Sequence, residues 1–208
     1  MLDEEARESE RLSKIISDSP VLISTAEEGY APVHRAARNG HLRVLEFLLK
    51  NGVDIDHETV NGTALSIAAQ YGRLKACEYL ITSGVDIECG SPLGEAIVSG
   101  FQSVGRLLLN RNATPNGIYE IKNDLFRFDG KKRERRIMML DPAVLRDGHP
   151  FVKLLHEWDA NLNLVAAEGE PAPLIWAIDR DQNEIFALLS LQGADVSAVV
   201  GQYPSAFH

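Results

Sequence analysis

The chain has 208 residues, 45% of them apolar and 25% charged, with a net charge of −9 and a pI near 5.2. That is enough apolar material for a continuous core, and the acidity sets the chain against nucleic acid and anionic membrane as partners. No stretch approaches the roughly 20 apolar residues that cross a bilayer, and Met1-Leu2-Asp3-Glu4-Glu5 leads into no apolar signal region, so the chain reads as soluble and cytoplasmic, with the nucleus as the alternative.

In chain order, residues 3 to 18 have helical character, with Leu12, Ile15 and Ile16 on one face and acids at the start. They are expected to form a capping helix within 1–27. A motif then recurs. Its first copy runs Ala31-Pro32-Val33-His34-Arg35-Ala36-Ala37-Arg38-Asn39-Gly40-His41, then Val44, Phe47, Leu48 and Gly52-Val53-Asp54-Ile55. The second runs Thr63-Ala64-Leu65-Ser66-Ile67-Ala68-Ala69-Gln70-Tyr71-Gly72-Arg73, then Tyr79, Leu80 and Gly84-Val85-Asp86-Ile87. The third runs Ser91-Pro92-Leu93-Gly94-Glu95-Ala96-Ile97-Val98-Ser99-Gly100-Phe101, then Val104, Leu107, Leu108 and Asn112-Ala113. A further copy runs Ala172-Pro173-Leu174-Ile175-Trp176-Ala177-Ile178, then Ile185, Leu188, Leu189 and Gly193-Ala194-Asp195-Val196.

Each position has a physical reading. Pro32, Pro92 and Pro173 suit a helix start, where a missing N–H costs nothing. Gly40, Gly72 and Gly100 suit a left-handed helix end. Val44, Phe47 and Leu48 share a face of a second helix. The recurring Asp54, Asp86 and Asp195 read as turn residues before they read as catalytic acids.

This pattern resembles the ankyrin repeat, about 33 residues long with the signature T-P-L-H-x-A. The resemblance implies an all-α solenoid of stacked helix-turn-helix units. The expected division is a single domain: cap 1–27, repeats at 28–60, 61–88 and 89–116, a degenerate fourth repeat at 117–167 with an insertion at 117–141, a fifth repeat at 168–197 and a tail at 198–208. Departures are specific. The capping threonine is lost at Ala31. The histidine survives only at His34, where it is expected to fix the turn before the helix. The third finger, Glu88-Cys89-Gly90, is short. Gly148 to Leu155 looks like the second helix of the fourth repeat.

The insertion carries Ile118-Tyr119-Glu120-Ile121-Lys122, Leu125-Phe126-Arg127-Phe128 and Asp129-Gly130. Asp-Gly beside extended-looking runs signals a β-hairpin; a loop leading into a helix from Arg133 to Leu140 is the other reading. The run Lys131-Lys132-Arg133-Glu134-Arg135-Arg136 is a local positive patch: a solvated loop, a contact for an acidic partner, an intramolecular clamp on the acidic stack, or the basis of an alternative function in nucleic-acid or nuclear association.

The resemblance further implies a partner protein held on the concave face made by first helices and fingers. The outward positions there are Arg35, Ile67, Glu95 and Trp176, then Arg38 with Asn39, Gln70 with Tyr71, Val98 with Ser99, and Asp179 with Arg180. Finger positions add Glu27, Glu28 and Tyr30, then His57, Glu58 and Thr59, and later Glu168 and Glu170. Tyr30, Ile67, Tyr71 and Trp176 are expected to be surface anchors, because aromatic and arginine side chains dominate binding hot spots. Truncating Tyr71 or Trp176 should then weaken partner capture and spare the fold.

Nothing in the sequence asks for a catalytic site. Gly-rich phosphate loops and a G-x-S-x-G serine are absent, and His57-Glu58 and His156-Glu157 lack a second histidine four residues on from the first. No cofactor or metal is expected, Cys77 and Cys89 read as reduced apolar fillers, and the chain should be monomeric when free. The expected role is a non-catalytic binding module, acting as inhibitor or adaptor on a partner with a basic surface. A toxin-masking immunity protein is one version, argued by analogy from size and acidity.

Overall fold

Ten helices and one short β-hairpin make up the described part of the chain, residues 31–120, 136–146, 148–166 and 171–197 of a computed structural model. The chain divides into two compact units, one ending at Ala96 and the other beginning at Ile97.

The first unit holds α1 (Pro32–Asn39), α2 (Leu42–Lys50), α3 (Ala64–Gln70), α4 (Leu74–Thr82) and the start of α5 (Pro92–Ser99). Helix starts follow the sequence: Pro32 occupies the first turn of α1, and Thr63 caps α3 by accepting the Ser66 N–H on its hydroxyl at 3.2 Å. Ala31 supplies no such cap. Gly40 ends α1 in the left-handed region at φ 75, which lets its own N–H reach the Ala37 carbonyl and the His41 N–H reach the Ala36 carbonyl. Helix α1 packs on both α2 and α3, α3 packs on α4, and α2 lies beside α4. The second helices bury Leu45 and Leu48 in α2 and Ala76, Cys77 and Leu80 in α4. Val44 and Phe47, expected in that core, sit half-buried at its edge, because the helix turns Leu45 inward instead.

The second unit holds the end of α5, α6 (Gln102–Asn110), β1 (Ile118–Glu120), β2 (Arg136–Met138), α7 (Leu140–Leu145), α8 (His149–Glu157), α9 (Pro173–Asp179) and α10 (Asn183–Leu191). Helix α7 packs on α8 and α9, α9 on α10, and α8 lies beside both α6 and α10. Of the second helices here, α6 and α8 close with left-handed Asn112 (φ 69) and Asp159 (φ 57), whereas α10 closes with Gly193 (φ 94) as the first unit does with Gly52 and Gly84. Asn and Asp are the non-glycine residues that tolerate this conformation best. The first helix α7 was hidden in the sequence, since only Ala143 keeps a small-residue position and no proline-led signature announces it.

Residues 118–120 and 136–138 pair antiparallel, with Ile118 opposite Met138 and Tyr119 opposite Ile137. The hairpin reading of the insertion therefore holds, and the helix from Arg133 to Leu140 does not form. The facing pair Tyr119 and Ile137 is buried and so is Met138, while Ile118 opposite Met138 stays exposed. The Asp141 carboxylate then accepts the Met138 N–H at 2.8 Å and starts α7. The expected capping helix at 3–18, Asp129-Gly130 and the tail from residue 198 lie outside the described residues.

Candidate functional site

Fingers between the helix pairs are built by carboxylate and amide side chains. Asp54, Asp86, Asn161 and Asp195 each accept the backbone N–H two residues ahead, at 3.0, 3.0, 3.0 and 2.8 Å. These acids thus make turns. A second set ties one finger to the next: Asp56 accepts the Asp86 N–H at 2.8 Å in the first unit, and in the second Asn116 accepts the Asn161 N–H at 2.7 Å and Asn163 the Asp195 N–H at 2.8 Å. His34 is buried, and its Nε2–H donates to the His57 carbonyl at 2.9 Å. It thereby ties α1 to the finger ahead of α3 rather than only to the turn before its own helix. Burial holds the imidazole below its ordinary value of 6.5, because the charged form would lose its hydration.

The expected groove positions divide sharply. Arg35, Arg38 and Asn39 are exposed on α1, and Gln70 and Tyr71 are half-exposed at the end of α3. The Arg38 guanidinium lies over the Tyr71 ring, 4.7 Å from its centroid, so the ends of two successive first helices form one arginine–aromatic pair. Gln70 donates to Glu95 at 3.3 Å. In the second unit Asp179 and Arg180 are exposed at the end of α9.

Four of the expected outward positions, among them the anchors Ile67 and Trp176, are buried. Ile67 is 1% exposed, Glu95 5%, Val98 6% and Trp176 6%. The cause is legible in the helices that carry them. In α3 six of seven residues are buried, and in α9 residues 173–177 all are. Short helices with apolar side chains on every face are buried on every face. Ile67, Val98 and Trp176 are therefore core in this state. Glu27, Glu28, Tyr30, Glu168, Glu170 and the cations Lys131, Lys132, Arg133 and Arg135 lie outside the described residues; of Arg136 the backbone pairs with Glu120 in β2. Fingers present His57 and Glu58 exposed and Thr59 half-buried.

Two features escaped the sequence reading. Arg73 donates its Nε–H to the Arg38 carbonyl at 2.8 Å and lies along the turn at Gly40, where a Cβ would stand 3.4 Å from its Cδ. In the second unit Arg106 covers the Trp158 ring at 5.4 Å and pairs with Glu157 at 3.3 Å. Arg73 follows Gly72 as His41 follows Gly40, so repeat alignment could have raised it. The Arg106–Trp158 pair needs two helices brought together and leaves no linear signal. Among the described residues no three His, Cys, Asp or Glu side chains converge as metal ligands, and no helix is long and apolar enough to cross a membrane.

A sequence-family model described as Ankyrin repeats (3 copies) matches residues 13–90 and 33–118. Among solved structures, the crystal structure of the human ASB11 ankyrin repeat domain is similar at 22% identity and a TM-score of 0.63, covering 80% of this chain and 71% of that one. No curated protein matches this sequence. Repeats of this kind are generally protein–protein interaction modules and typically carry no catalytic site.

Proposed function

This chain belongs to the ankyrin-repeat family, and from that premise we propose that it holds a partner protein on the open ends of its first helices and on its fingers, as an inhibitor or adaptor. The observation that carries this reading is the Arg38–Tyr71 pair at 4.7 Å, with exposed Arg35 one turn earlier on α1. Arginine and tyrosine are the side chains most often responsible for binding energy at interfaces, and a ring already covered by a guanidinium loses little freedom on docking. Asp54, Glu58, Asp86 and Glu88 are exposed on the fingers of the same unit and favour a partner that is basic there, chiefly by speeding encounter. The buried Ile67 and Trp176 take no part.

The test is affinity capture from native host cells with the tagged full chain and an Arg35→Ala/Tyr71→Ala variant, each first checked by thermal melt. A partner enriched by the parent chain should be lost from the variant while the melt moves by no more than a few degrees. An identical set of captured proteins from both would refute the proposed surface.

A further inference from the structure

A single finger closes over a buried imidazole. The Nε2–H of His34 donates to the His57 carbonyl at 2.9 Å, so the neutral ring leaves Nδ1 bare. Nδ1 is buried and has no hydrogen-bond partner among the described residues. The His57 ring stands beside that of His34, with centroids 5.7 Å apart and planes tilted by 55°. The finger that supplies this cover is lightly held. Its tip closes on itself, with the Thr59 N–H on the Gly62 carbonyl at 3.1 Å and the Gly62 N–H on the Thr59 carbonyl at 2.9 Å. His57 and Glu58 are exposed and Val60 is 86% exposed, so few apolar contacts pin the tip. Segments of that kind open at the least cost in free energy.

Proton uptake works against this arrangement. A second proton on His34 goes to Nδ1, where the charge loses its hydration. Burial is the largest influence on the imidazole and disfavours the charged form; the carbonyls of His57, Ala31 and Gly62 favour it, and the His57 imidazolium opposes it. Helix α1 itself carries Arg35 and Arg38. Among the described residues packed against it, α3 has no charged side chain, α2 has Arg43, Glu46 and Lys50, and the finger has Asp54, Asp56 and Glu58 besides His57. Of these groups, His57 is the one that bears on His34 by charge. The next repeat is built differently. Ser66 stands where His34 stands in the first, and the finger after it is held by the Thr63 hydroxyl, which donates to the Cys89 carbonyl at 3.2 Å and does not titrate.

We propose that the His34–His57 pair is a proton-operated latch on this finger: when His34 takes up a proton, residues 57–62 lift away and the imidazolium reaches water. His57 adds to the effect, because two like charges 5.7 Å apart, one of them out of solvent, favour separation. The open form binds the proton more readily than the closed one. Acid therefore favours opening below pH 6.5, and the gain levels off below the value of the closed form. The latch itself stands apart from the proposed function. Only its consequence rests on that reading: a partner held on this finger is released as pH falls.

The test is amide hydrogen exchange in the full chain, read by NMR between pH 7.5 and 5.0 and corrected for the intrinsic rates. Protection at Thr59 and Gly62 should fall by about three- to tenfold per unit below pH 6.5, tenfold being the limit for one proton. Ser91, whose N–H donates to the Glu88 carbonyl at 3.1 Å in the next finger, should stay within about twofold. His57→Ala keeps the carbonyl that accepts from Nε2 and removes only an exposed ring, so the fold should persist while the total fall shrinks at least twofold. His34→Gln should give protection that is flat with pH, whatever its level, which keeps the test valid even where the finger is looser throughout. Flat protection in the parent chain, a parallel fall at Ser91, or an undiminished fall in either variant overturns the latch. No partner enters the measurement. A finger that never opens would leave the docking surface standing, and identical capture by the Arg35→Ala/Tyr71→Ala variant would leave the latch standing.

Discussion

Gly105 offers the sharpest test of how the second unit is packed. It lies in the middle of α6, is buried, and has no unusual backbone conformation, so helix propensity alone says that Gly105→Ala should stabilise by about 1 kcal/mol. The structure says otherwise. A Cβ there would stand 2.6 Å from Cε1 of Phe151 and 3.5 Å from Cδ2 of Leu154. Carbon atoms settle at about 3.5–4.0 Å, so the ring must retreat by roughly 1 Å. Phe151 is 3% exposed and Leu154 0%, so both are packed in the core. Overpacking of this kind costs about 1–3 kcal/mol. Set against the propensity gain, the net is a destabilisation of about 1 kcal/mol, with 2 as the upper end. Urea unfolding followed by far-ultraviolet circular dichroism would measure it, together with Phe151→Leu and the double variant. Leucine vacates the space the new methyl needs, so the double variant should be more stable than the sum of the singles by about 1 kcal/mol. A Gly105→Ala chain at or above parental stability, with the two changes additive to within about 0.5 kcal/mol, would show that α6 and α8 are not in this close approach.

Trp176→Ala should destabilise the chain by about 3–5 kcal/mol, as loss of a buried aromatic does, and a melt within a few degrees of the parent would return Trp176 to the surface. Burial pushes the Cys77 thiol up to about 12 by disfavouring the thiolate. A native-state alkylating reagent at pH 8 should therefore modify the half-exposed Cys89 well before Cys77, and peptide mapping showing equal rates would contradict the packing. His34 takes up its proton less readily folded than unfolded, so the unfolded chain binds more protons below pH 6.5. Stability should fall as pH drops through that window, by up to about 1.4 kcal/mol per unit, and level off below the folded value. In His34→Gln the slope between pH 6.5 and 5.5 should shrink; an unchanged slope would mean that other groups carry it.

Much of this protein follows from local chemistry. Proline at helix starts, glycine where the chain must turn left-handed, and Asp or Asn two residues ahead of a turn's N–H are demands met within a few residues, so Pro32, Gly40 and Asp54 announce helix, end and finger in the linear sequence. The short range of those demands is also their limit. Pro32-Val33-His34-Arg35 and Pro173-Leu174-Ile175-Trp176 carry the same positional signature, yet Arg35 meets solvent and Trp176 does not, because exposure depends on how many neighbours close around a seven-residue helix whose faces are nearly all apolar. The same holds for Tyr71 beneath Arg38, Phe151 against Gly105, and His57 beside His34. Repeat register was written in the residues themselves; which repeat positions stay open, and which side chains stand together, was decided only when helices far apart in the chain came within contact distance.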